Sequence, residues 1–106
     1  MCRRQKHNGI DIAAKKGTEI YAPAPGVVTF ADTRNGYGNY VTIDHGEGYV
    51  TTYAHMNRIN VKEGDVVNTG MLVGEIGTTG RVTGAHLHFE ILLDGVFVDP
   101  MDYIAG

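Results

Sequence analysis

Glycine recurs at short intervals along this chain, and the stretches between glycines are apolar or alternating runs too brief to make helices. Fifteen of the 106 residues are glycine, and such spacing punctuates strands, because glycine supplies the positive φ that tight turns demand. No window longer than about ten residues sustains a helical period. The strand candidates are Ile10–Ile12, Glu19–Ala22, Gly26–Ala31, Tyr40–Asp44, Tyr49–His55, Val66–Val67, Leu72–Ile76, His86–Leu93 and Val96–Val98. The turn His45-Gly46-Glu47-Gly48 joins two of them as a hairpin, and Asp94-Gly95 turns the last pair. Pro100 to Ile104 offers a weak helical turn. Strands this frequent predict an all-β fold whose antiparallel sheets form a sandwich or an open barrel.

A chain of 106 residues, with no linker-like or low-complexity segment, reads as one domain spanning 1–106 with a short N-terminal arm at 1–6. The formal net charge is −3, and the one basic cluster is Arg3, Arg4 and Lys6. A broad cationic face for nucleic acid is therefore not expected. No apolar run reaches membrane-spanning length, and the basic start lacks the apolar stretch of a secretory signal. No membrane insertion is expected, and an extracytoplasmic address would need sequence beyond this chain. Cys2 is the only cysteine, so no intrachain disulfide forms, and its thiol reads as incidental.

Chemistry concentrates in the histidines. Within His86-Leu87-His88-Phe89-Glu90, side chains two apart share a face, so two imidazoles and a carboxylate are presented together, opposite Leu87, Phe89 and Ile91. His7 and Asp11 add an imidazole and a carboxylate four residues apart around Gly9. Three ligands with an open fourth position make a catalytic zinc site. His7, Asp11 and one histidine of the 86/88 pair meet that count, and the spacing leaves open which. His55 closes Tyr53-Ala54-His55 at a strand end, where a lone histidine is more often packed or solvated. His45, in Asp44-His45-Gly46, reads as a solvated turn residue and not a ligand.

Four ordered segments, His7-Asn8-Gly9-Ile10-Asp11-Ile12-Ala13, Gly36-Tyr37-Gly38-Asn39-Tyr40-Val41, Tyr53-Ala54-His55 and Gly84-Ala85-His86-Leu87-His88-Phe89-Glu90, resemble the motifs of the LytM/lysostaphin-type peptidoglycan peptidases. The likeness runs from about His7 to Tyr103. It implies a fold of the duplicated hybrid motif type and one zinc ion on His7, Asp11 and His88. It also implies that His55 and His86 are the catalytic histidines, and that the substrate is a cross-bridge or stem peptide of the bacterial cell wall. The resemblance thereby assigns His88, and not His86, to the metal. Such a zinc metalloendopeptidase would act as a monomer in the cell envelope, periplasmic or extracellular. His86 is then expected to help deprotonate the attacking water while His55 serves the leaving amine. Glu90 is expected to orient an imidazole from outside the ligand set, because a second carboxylate on the metal would blunt its Lewis acidity. Tyr37, Asn39 and Tyr53 are candidates for the substrate groove, with core packing the alternative for each.

Two rival readings stand beside this one. Some members of the family have lost metal ligands and act as non-catalytic regulators of other wall hydrolases, but here every expected position is filled. Val61 to Gly70 resembles a segment of biotinyl or lipoyl carrier domains, yet Gly77-Thr78-Thr79-Gly80-Arg81 lacks the lysine that would carry the cofactor. Family domains usually carry a longer arm before the first zinc histidine, in some members with a tyrosine near the oxyanion. Only Met1 to Lys6 stand there in this sequence, which bears on the edge strand and on substrate contacts.

Overall fold

The computed structural model describes residues 3–5, 9–78 and 86–98, with side chains at 14–78 and 87–98. Among these residues there are ten strands: β1 (Arg3–Gln5), β2 (Gly9–Ala13), β3 (Glu19–Tyr21), β4 (Gly26–Arg34), β5 (Gly38–Gly46), β6 (Tyr49–Ile59), β7 (Val66–Val67), β8 (Leu72–Ile76), β9 (His86–Leu93) and β10 (Val96–Val98). All pairings are antiparallel, in the order β1-β2-β9-β6-β5-β4-β7, with β10 on β9 and with β8 joining β3 to β6. No helix occurs among the described residues, and the expected turn at Pro100 to Ile104 lies outside them.

One buried cluster runs across this order from β7 to β9. It holds Val67 of β7 together with Leu87, Phe89 and Ile91 of β9, although β4, β5 and β6 stand between those strands. The strands form one sheet, and extents of 34 × 28 × 26 Å leave no dimension as thin as a flat sheet, so it curls around this core as an open barrel and not a sandwich. Tyr53, Ile43 and Met56 are the largest fully buried side chains. Burying a residue such as Ile43 contributes about 1.5–3 kcal/mol.

Both expected hairpins form, and for the expected reason. Glu47 and Gly48 have φ of 53° and 84°, and Asp94 and Gly95 have φ of 53° and 82°. Positive φ at both central residues marks the type I′ turn, whose twist suits a two-residue hairpin.

Within the expected N-terminal arm, β1 pairs with β2 in the register Arg4↔Ile10. Two expectations need correction. The strand expected to end at His55 continues to Ile59 and changes partners, pairing with β5 and β9 and then, from Met56, with β8. His45 is a half-buried residue of β5 and not a solvated turn residue. Its Nδ1 lies 2.8 Å from the carbonyl oxygen of Pro25 and its Nε2 lies 2.7 Å from Thr51 Oγ1. A carbonyl only accepts, so Nδ1 donates, and in the neutral ring Nε2 accepts from the threonine hydroxyl. The imidazole thereby ties the segment before β4 to β6.

Candidate active site

Strand β9 presents its residues as the alternation requires. Leu87, Phe89 and Ile91 enter the core, while His88 and Glu90 share the opposite face. His88 Nε2 lies 2.9 Å from Glu90 Oε2, and Thr52 Oγ1 donates to Glu90 Oε1 at 2.8 Å. Thr52 stands directly across from Glu90 in the β6/β9 ladder. Glu90 is 6% exposed, so its two oxygens are satisfied by these partners in a largely dehydrated setting where an unpaired carboxylate would be costly. Because a carboxylate accepts, Nε2 of His88 donates to it, and in the neutral ring Nδ1 is the nitrogen that carries the lone pair.

Position 11 of β2 opposes His88 in register, as Ala13 opposes His86. Directly opposed residues of an antiparallel pair lie on one face, with Cβ atoms about 4.5–5.5 Å apart. On the other side of β9, Ala54 of β6 opposes His88, which brings the next residue, His55, alongside. The rings of His55 and His88 have centroids 6.3 Å apart and cross at 61°.

His55 arrives there through a bulge. Between the pairs Val41↔Tyr53 and Asn39↔Met56, β6 spends three steps where β5 spends two, and His55, at φ 64°, is the residue in left-handed conformation. A bulge of this kind re-aims one side chain. The His55 backbone N–H is tied to the carbonyl of Tyr37 at 2.8 Å, and the residue is 8% exposed. Left-handed geometry costs a residue with a Cβ about 1–2 kcal/mol. His55→Gly is therefore expected to be more stable than His55→Ala by about 1 kcal/mol in urea unfolding, the reverse of the usual preference for alanine over glycine. Equal stability of the two variants would remove backbone strain from the account.

A cleft of about 340 Å³ extends from Glu90 across β6 and β5, with Arg34, Tyr37, Tyr40 and Thr52 among its lining residues. Tyr40 is hydrogen-bonded to Thr52, and its phenol pKa is raised, first by burial and then by the charge of Glu90, with Arg34 opposing. Tyr37 is 39% exposed on this cleft. Asn39 is half-buried and donates to the carbonyl of Met56 at 2.9 Å, so it braces the far side of the His55 bulge. Tyr53, a groove candidate from sequence, is instead a core residue at 1% exposure. Its hydroxyl lies 2.7 Å from Thr51 Oγ1, and burial pushes its pKa up.

Of the five sequence-selected residues, His55 and His88 meet as side chains, position 11 opposes His88 in register, and position 86 opposes Ala13 two residues before His88 on the same strand. His7 and the side chains of Asp11 and His86 lie outside the description. Among the described residues no three His, Cys, Asp or Glu side chains form a cluster for a metal. What is described fits a metal centre: a histidine with its tautomer fixed by a carboxylate, opposed in register by an aspartate position. Thr52 and Arg34 went unremarked in the sequence. The first carried no signal except its distance from a turn, and the second none.

Comparison with known proteins adds a family. The profile of peptidase family M23 matches residues 5–100. The DD-carboxypeptidase/endopeptidase Mpg of Neisseria meningitidis serogroup B is 46% identical over 95 residues, covering 90% of this chain and 22% of that protein. The chain thus spans about a fifth of the length of the curated relatives it matches. Among solved structures, a zinc containing peptidase from Vibrio cholerae superposes with a TM-score of 0.86 at 41% identity, covering 90% of this chain and 29% of that one. The catalytic domain of lysostaphin from Staphylococcus simulans gives 0.87 at 32% identity, covering 94% of this chain and 80% of that one.

Proposed function

The chain belongs to peptidase family M23, and from that premise we propose that it is the hydrolytic unit of a zinc-dependent peptidoglycan endopeptidase acting in the cell envelope. The observation that carries this reading is the bonding of His88 to Glu90, with Asp11 opposite in register and His55 alongside. Names among the relatives agree with it, Mpg as a carboxypeptidase/endopeptidase and ShyA of Vibrio cholerae as a peptidoglycan DD-endopeptidase.

In this reading His7, Asp11 and His88 hold one zinc ion, His88 through Nδ1. Zinc, when bound, supplies a Lewis acid and a water whose pKa falls from about 15.7 towards 7. Every other part is played by the chain. Glu90, held by Thr52, keeps His88 in the required tautomer, an arrangement that raises ligand basicity. His86, on the same face two residues before the ligand, takes the proton of the attacking water. His55, fixed by its bulge and by the carbonyl of Tyr37, donates toward the carbonyl oxygen and then the leaving amine. The cleft lined by Tyr37 and Tyr40 receives the peptide.

The test is digestion of purified cell walls that differ in cross-bridge chemistry, followed by mass spectrometry of the released fragments. Zinc-loaded protein is expected to open peptide bonds in at least one wall type, to stop on chelation and to recover with zinc. Intact walls throughout, with zinc bound, would refute the hydrolytic reading.

A further inference from the structure

Arg34, the last residue of β4, is exposed at the end of the cleft remote from Glu90. Its guanidinium carbon sits 5.8 Å from the ring centre of Tyr37 and 5.2 Å from that of Tyr40, and those two rings are 5.1 Å apart. Stacking on aromatic faces fixes the guanidinium plane and leaves its N–H edge to other partners. Among the described residues no carboxylate pairs with this edge, and Arg34 is the one Lys or Arg that lines the cleft. Glu90 at the other end is occupied by His88 and Thr52. The cleft therefore offers an incoming peptide one cation, packed against two aromatic rings and without a carboxylate partner among the described residues, three strands away from Glu90.

We propose that Arg34 receives a carboxylate of the bound peptide, and so selects stem peptides, which carry free carboxylates, over glycine bridges, which carry none between their ends. The assignment rests on the proposed function, since it needs the peptide to lie in this cleft. A planar guanidinium fork can pair both carboxylate oxygens at once, a geometry that a lysine ammonium does not reproduce. A glycine bridge offers the fork only neutral carbonyl oxygens, without the charge-assisted pairing of a carboxylate.

The experiment uses two short peptides with the scissile amide replaced by a methyleneamine, one with its free carboxylate and one amidated there. Each is titrated calorimetrically into zinc-loaded wild type, Arg34→Gln and Arg34→Lys. Wild type is expected to bind the carboxylate form about tenfold more tightly, the size of a charge-assisted hydrogen bond. Arg34→Gln should erase that gap by weakening the carboxylate form alone, Arg34→Lys should keep part of it, and added salt should narrow it. Equal binding of the two peptides by wild type, or a gap that survives in Arg34→Gln, overturns the proposal. So does equal weakening of both peptides, which would mean that Arg34 only props the two tyrosines. Hydrolysis of the ordinary amides is followed in parallel. Carboxylate-dependent binding without cleavage would keep the Arg34 assignment and defeat the hydrolytic reading, so the two failures remain distinguishable.

Discussion

Replacing His88 or Asp11 with alanine is expected to remove zinc and hydrolysis together, whereas His86→Ala keeps zinc and loses hydrolysis. The division follows from register. Position 11 opposes position 88 across the β2/β9 ladder, while position 86 opposes Ala13, which has no donor to share with it. Removing one of three ligands leaves an ion held by two, a deeper loss than the roughly 10–100-fold that follows a change in an outer partner. Removing a proton-transfer group costs about 10²–10⁴-fold in rate without touching the coordination. Zinc content after gel filtration, measured beside turnover on a cross-linked peptide, separates the two effects. If His86→Ala sheds zinc as His88→Ala does, the assignment of ligand and base is wrong.

Gly77→Ala and Gly74→Ala are expected to destabilise the fold by about 3 kcal/mol or more each, at the upper end of overpacking changes. Past the bulge at His55, β6 crosses β8 with backbone against backbone. A methyl at Gly77 would stand 2.5 Å from Asn57 Cα, and one at Gly74 would fall on the carbonyl oxygen of Arg58. Neither obstacle is a side chain that can swing aside. Gly36→Ala is the control, because its added methyl meets nothing within 4 Å and only its φ of 84° resists. It should cost about 1 kcal/mol. With total stability of a domain commonly about 5–15 kcal/mol, Gly77→Ala would lower the urea midpoint substantially. Asn57 lies two residues beyond His55, so any relaxation at Gly77 also disturbs the site, and activity should fall before unfolding begins. Stability of Gly77→Ala within 1 kcal/mol of wild type, a bound set by the roughly 1–3 kcal/mol of ordinary overpacking, would contradict this packing.

How far the sequence spoke for itself differs from residue to residue. Strand β9 was legible because its alternation is strict, with Leu87, Phe89 and Ile91 in the core and His88 and Glu90 facing away. The turns Glu47-Gly48 and Asp94-Gly95 were legible because few residue pairs accept two positive φ values in succession. Strand β1 was not, since Arg3-Arg4-Gln5 has no alternation and owes its conformation to pairing with β2. The continuation of β6 to Ile59 was hidden by the bulge, which shifts the alternation by one residue at His55. Tyr53 in the core, the double hydrogen bonding of His45 and the Thr52–Glu90 pair depend on which strands become neighbours, information that no single stretch of sequence holds.

Anomalous diffraction from a crystal of the zinc-loaded protein, recorded at the zinc absorption edge, addresses the metal centre most directly. A single peak is expected about 2.0–2.2 Å from a nitrogen of His7, a carboxylate oxygen of Asp11 and Nδ1 of His88, with Nε2 of His88 still on Glu90. A peak bound through His86 or Glu90, or no ordered zinc between β2 and β9, would contradict it.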